Sequence, residues 1–127
     1  MKVVKFGGSS LASASQLKKV LDIVKSDPER RFVVVSAPGK RDAKDYRDYV
    51  AGNDISTSQN WIIDRYAAMV SELGLKPAVL ERISKSIRTL ATLPIENNEF
   101  LYDTFLAAGE NNNAKLIAAY FNQNGID

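Results

Sequence analysis

"VVKFGGSS", residues 3 to 10, decides how the rest of the chain is read. Two β-branched residues and a lysine run into adjacent glycines and adjacent serines. A buried strand can end in any tight turn, but few turns need two glycines with a cation before them and hydroxyls after. The pattern predicts a strand-to-helix turn whose backbone something negatively charged approaches closely. Gly7 and Gly8 open the backbone to phosphate oxygens, Lys5 offers a point charge, and Ser9 and Ser10 offer further donors. Two glycines at a strand's carboxyl end also predict at least one φ above zero, with amides left free for an anion. By spacing the stretch is neither a Walker A loop nor a dinucleotide fingerprint, so a plain turn with a surface lysine is the alternative.

Outward from this turn the periodicity changes twice. Residues 2–6 predict a short buried strand. In "SASQLKKVLDIVKSD" (13–27), Leu17, Val20, Leu21 and Val24 fall at helical spacing, with Lys18, Lys19, Asp22 and Lys25 opposite. Ser13 and Gln16 stand at capping-box spacing, and Asp27-Pro28 closes the helix. "RRFVVVSA" (30–37) is a second strand, an apolar run of the kind covered on both faces. Strand, helix and strand make a βαβ unit, which predicts a parallel pair with a right-handed crossover. The turn then lies at the carboxyl end of a parallel strand, where open α/β sheets bind ligands.

Beyond "PGKR" the chain turns helical. A weak segment covers "DAKDYRDYVAG" (42–52). A stronger one starts at the capping pair Ser56 and Gln59, carries Trp61, Ile62, Tyr66, Met69, Val70 and Leu73, and stops at Gly74. Pro77 opens a third, with Val79, Leu80, Ile83, Ile87 and Leu90 inward. "NNEFLYDTFLAAGE" and "NNAKLIAAYFNQNG" predict two more, the last ended by Gly125. Two strands do not finish a sheet, and "NGID" (124–127) stands where a turn should feed a third strand. The chain therefore reads as the front portion of a larger α/β domain.

Composition narrows the chemistry. The 127 residues suit one domain with a real core. No apolar run approaches the roughly 20 residues of a membrane span, and the N-terminus lacks a signal-peptide core. A net charge of +2, with acids interleaved among the bases, leaves no nucleic-acid footprint. The absence of cysteine excludes disulfides and thiolate chemistry and suits a reducing, cytoplasmic setting. The absence of histidine removes serine–histidine catalysis and the usual zinc sites. What remains is Lys, Arg, carboxylates, hydroxyls and backbone amides, an inventory that fits phosphoryl transfer.

Three segments together resemble the aspartate kinases of the amino-acid kinase family, in a Gram-positive form. They are "VVKFGGSSLAS", "FVVVSAPGKR" and "FLAAGENNNAKLIAAYFNQNGID", in the order that family uses. The resemblance implies a three-layer αβα fold of the carbamate kinase-like type with a parallel central sheet, here only its N-terminal part. It implies ATP-dependent phosphorylation of the β-carboxylate of L-aspartate to 4-phospho-L-aspartate, in amino-acid (lysine) biosynthesis. Magnesium would be bound through the nucleotide phosphates, and a homodimer or other self-association is expected. An acceptor carboxylate of pKa about 4 is already ionised at neutral pH and needs no general base. Lys5 becomes the expected catalytic cation, neutralising the transferring phosphoryl group, with Lys5, Gly7, Gly8 and Ser9 binding ATP phosphate. Glu110 matches the glutamate that holds the substrate ammonium, and Ser36 a serine near the substrate. Lys5 is accordingly expected within reach of Glu110 or an anion.

Three departures accompany the resemblance. The family's threonine-aspartate pair has no match, because "KRDAKDYRDYV" holds no threonine before Thr57; roughly ten residues, an ordinary loop length, read as skipped near Asp45–Tyr46. Ala107-Ala108 replaces a serine-arginine pair before Gly109-Glu110. The catalytic aspartate, the substrate-carboxylate arginine, the adenine pocket and the regulatory ACT domains fall beyond residue 127. Another amino-acid kinase of this fold, or a non-catalytic nucleotide-binding fragment, remains the alternative. By itself the fragment is expected to be inactive and to self-associate.

Overall fold

In the computed structural model, residues 1–38, 55–92 and 98–126 are described. In chain order they form β1 (Lys2–Phe6), a 3-10 turn (Gly8–Leu11), α1 (Ala14–Lys25), β2 (Arg30–Val35), α2 (Ile55–Glu72), α3 (Pro77–Thr92) and α4 (Asn98–Gln123). The expected weak helix over 42–52 and the join at Asp45–Tyr46 lie outside the described residues.

β1 and β2 pair in parallel, with Val3 opposite Phe32 and Phe6 opposite Val35; the register slips once, between Lys2 and Val3. Both strands therefore end side by side, and the turns that follow them share one edge of the sheet. Alternation decides which side chains meet the core. Phe6, Val33 and Val35 pack against the helical cluster. Val3, Phe32 and Val34 face the other way and stay exposed, at 68%, 54% and 48%. Two layers of the expected three are present among the described residues. The apolar run of β2 is thus covered on one face here, not on both.

The helices form where the periodicity places them. Ser13 caps α1, its hydroxyl accepting from the Gln16 amide at 3.4 Å, and Leu17, Val20, Leu21 and Val24 are buried. Pro77 occupies the first position of α3, where its missing N–H is not needed. Gly74 and Gly125 take positive φ, 66° and 85°. In each case the residue after the glycine donates five residues back, Leu75 to the Val70 carbonyl and Ile126 to that of Phe121. That pattern closes a helix and favours a residue without Cβ. α2 begins at Ile55, so Ser56 lies inside its first turn and is not the cap.

The larger difference is α4. Two expected helices are one, running unbroken through Gly109-Glu110. Gly109 costs about 1 kcal/mol relative to alanine in a helix interior. Against this, the buried stripe crosses the glycine without a break: Ala108, Gly109, Asn112, Asn113, Leu116, Ile117, Tyr120 and Phe121 are all buried. Tertiary burial on that stripe overrides the weak local signal.

Candidate functional site

The parallel register brings the ends of β1 and β2 together, which sets Gly7 beside Ser36. The Ser36 amide donates to the Phe6 carbonyl at 3.3 Å, fastening the two exits to each other. After Phe6 the chain makes one 3-10 turn, with the Ser10 amide bonded to the Gly7 carbonyl at 3.1 Å. Among the described backbone hydrogen bonds of turns and caps, none uses the amide of Gly7 or Gly8. The backbone angle departs from the expectation: Gly7 sits at φ −78° and ψ 168°, and among the described glycines only Gly74 and Gly125 have positive φ. The turn is made by a 3-10 segment, whose angles are ordinary for any residue, so no left-handed residue is required. A Cβ at Gly7 would meet no described atom within 4 Å. The described fold itself therefore does not require glycine at this position.

α4 supplies the second wall. Asn113, fully buried, donates from Nδ2 to the Ser36 carbonyl at 2.7 Å. Further along, Ile117, Phe121 and Ile126 share a groove with Arg30, Arg31, Val33 and Val35. The helix thus runs antiparallel to β2. Glu110, one turn before Asn113, accordingly lies toward the carboxyl ends of the strands and is exposed.

α2 braces both walls. The Tyr66 hydroxyl, on a side chain 1% exposed, donates to the Gly109 carbonyl at 3.0 Å, next to Glu110. The neighbouring Arg65 donates to the Ala12 carbonyl at 3.1 Å, at the end of the 3-10 turn. Its guanidinium also lies 5.4 Å from the Trp61 ring centre, a cation–π contact. The sequence placed Tyr66 on the inward face without a partner, and assigned no role to Asn113. Both act on carbonyls far along the chain, and the only local signal was a run of asparagines interrupting an apolar helix period.

Lys5 is exposed on the uncovered face of the sheet, with Val3 and Val34 as neighbours. α4 packs against the opposite face, and no ion pair among the described residues joins Lys5 to Glu110. Of the two partners expected for Lys5, Glu110 or an anion, Glu110 is not paired with it among the described ion pairs. Lys5 is two residues from Gly7, on the strand that leads into the turn. Ser9 is exposed within the 3-10 turn.

Among the described residues, one carboxylate has a shifted affinity, and it lies at the other end of the sheet. The Lys2 ammonium, 2.5 Å from the Asp27 carboxylate, and the Glu29 amide hold Asp27 below its ordinary range. This pair fastens the start of β1 to the loop before β2. It is structural.

A family model described as the amino acid kinase family matches residues 1–127. Aspartokinase 3 of Bacillus subtilis is 46% identical over 136 positions, which take in 99% of this chain and 30% of that protein. About ten positions of that alignment have no counterpart in this chain. The chloroplastic aspartokinase 1 of Arabidopsis thaliana is 30% identical over 98% of this chain and 24% of its own length. Among solved structures, the aspartate kinase of Clostridium acetobutylicum superposes with a TM-score of 0.71 at 34% identity, over 94% of this chain and 29% of that one. Aspartokinase III of E. coli, in complex with aspartate and ADP, gives 0.74 at 22% identity, over 96% and 29%, a likeness of fold. The chain spans under a third of the length of each of these relatives.

Proposed function

This chain belongs to the amino acid kinase family, and from that premise we propose that it is the N-terminal part of an aspartate kinase. The reaction is transfer of the γ-phosphoryl group of ATP to the β-carboxylate of L-aspartate. The observation that carries this reading is the shared strand end. Gly7 and Ser36 stand where β1 and β2 stop together, and Asn113, three residues past Glu110, bonds the Ser36 carbonyl.

Each group has a part in that chemistry. Acceptor and donor are both anionic, so the site must offset their repulsion. The amides of Gly7 and Gly8 donate to phosphate oxygens at the entry to the 3-10 turn, with the Ser9 hydroxyl as a further donor. Lys5 reaches over the turn from β1 and places its ammonium on the transferring phosphoryl group. Glu110 takes the α-ammonium of the amino acid, and Ser36 lies alongside the acceptor. An acceptor carboxylate already ionised at neutral pH needs no base, in keeping with a chain that has no histidine. Magnesium arriving with the nucleotide would supply further charge neutralisation. The donors at the turn are amides, hydroxyls and an ammonium, which suit phosphate oxygens, so the ion would ride on the nucleotide. Groups beyond residue 127 complete the acceptor and adenine contacts in this reading.

The test is an acceptor panel. The full-length enzyme carrying this segment is incubated with ATP and L-aspartate, L-glutamate or N-acetyl-L-glutamate, and acyl phosphate is trapped with hydroxylamine. Hydroxamate from aspartate alone supports the reading. Hydroxamate from another acceptor keeps the family chemistry and discards aspartate, and binding of ATP without product discards the kinase.

A further inference from the structure

One side chain links the two acceptor contacts without touching the acceptor. The Ser36 carbonyl receives the Nδ2 of Asn113 at 2.7 Å, while the Ser36 amide is tied to β1. Glu110 precedes Asn113 by three residues on the same helix, about 4.5 Å along its axis. That hydrogen bond ties the helix that presents Glu110 directly to the strand end that presents Ser36.

Asn113 is also out of place by packing alone. It is completely buried, its Oδ1 has no partner among the described residues, and Asn112 beside it, 1% exposed, has neither amide atom paired. The same stripe continues as Leu116, Ile117, Tyr120 and Phe121. An apolar side chain would satisfy that stripe without desolvating an amide. Local rules broken inside a core tend to mark a functional site.

We propose that Asn113 is a positioning residue, which sets Ser36 against Glu110 so that one amino-acid acceptor bridges both. The inference rests on the aspartate kinase reading. Asn113 acts through the Ser36 backbone, so its loss loosens the acceptor and leaves the phosphate turn, held by β1 and Arg65, in place.

The test compares two substitutions of similar volume in the full-length enzyme, Asn113→Leu and Asn112→Leu. Both remove a buried amide from one helix stripe, but only the first removes the bond to Ser36. The expected result for Asn113→Leu is a KM for aspartate raised by about 10-fold or more. The KM for ATP and kcat should change by less than about 3-fold, as for a lost binding contact. Asn112→Leu should leave the KM for aspartate within about 2-fold of wild type. If Asn113→Leu does not fold, Asn113→Ala takes its place with the same expectation. A rise in both variants, or in neither, overturns the proposal while the kinase reading stands. A wild-type enzyme that forms no aspartyl hydroxamate overturns both.

Discussion

Gly7 separates what the fold needs from what a ligand needs. Its φ of −78° is open to any residue and a Cβ would find empty space among the described atoms. Alanine there should leave the chain folded and even gain a few tenths of a kcal/mol, because it narrows the unfolded ensemble. A phosphate drawn against the same backbone would meet the added methyl. Gly7→Ala in the full-length enzyme should therefore raise the KM for ATP by about 10-fold or more, with the urea midpoint unchanged or higher. A variant that loses stability in step with its affinity for ATP would show instead that the glycine serves the fold. The two neighbouring side chains follow different logic. Lys5 is exposed beside the turn, and its proposed role depends on reaching across it; Ser36 is held through its backbone, so its position is set by Phe6 and Asn113 more than by its hydroxyl.

Elements show which forces set the boundaries. Gly74 terminates α2 with a φ of 66°, and an alanine forced into that region costs roughly 1–2 kcal/mol. Gly74→Ala should lower unfolding stability by about that amount, read from urea denaturation, without altering the KM for either substrate. At the amino end of the sheet, Lys2 and the Glu29 amide depress the affinity of Asp27 for protons. A carboxylate whose folded pKa lies below its unfolded value stabilises the fold above the unfolded value of about 3.8. That contribution is lost as the pH falls through the folded pKa. Acid unfolding should accordingly be less steep in Asp27→Asn than in the parent chain below about pH 4. Because the carboxylate lies on the surface, the difference should shrink in high salt. Elements of this kind were legible in the sequence. A period of 3.6 in α1, an apolar run in β2, and the punctuation of Ser13, Gly74, Pro77 and Gly125 are all local signals. The continuity of α4 was not legible, because Gly109 and the asparagines break the local pattern while burial across the stripe restores the helix. Of the candidate site, the turn and Ser36 could be placed from the βαβ order. The bonds from Asn113 to Ser36, Tyr66 to Gly109 and Arg65 to Ala12 join residues 77, 43 and 53 positions apart. Contacts so distant leave no period in a single sequence.

At the scale of the molecule, the sheet has one covered face and one open face. Val3, Phe32 and Val34 stand in a row on the open side, and β-sheets with an exposed apolar face tend to acquire a partner. The purified 127-residue chain should therefore self-associate at micromolar concentration in analytical ultracentrifugation. The double substitution Phe32→Ser and Val34→Thr should move it toward the monomer; a parent chain that sediments as a monomer would contradict the expectation. The same open face carries Lys5, the proposed catalytic cation. In the proposed reaction the joined ends of β1 and β2 hold the phosphoryl group during its transfer to aspartate. That role is tested most directly by Lys5→Ala in the full-length enzyme, with aspartyl hydroxamate formation as the readout. Removing a cation that acts on the transition state should lower kcat by about 100-fold or more, while the KM for aspartate changes by less than about 3-fold. An unchanged kcat in a folded Lys5→Ala enzyme would contradict the account.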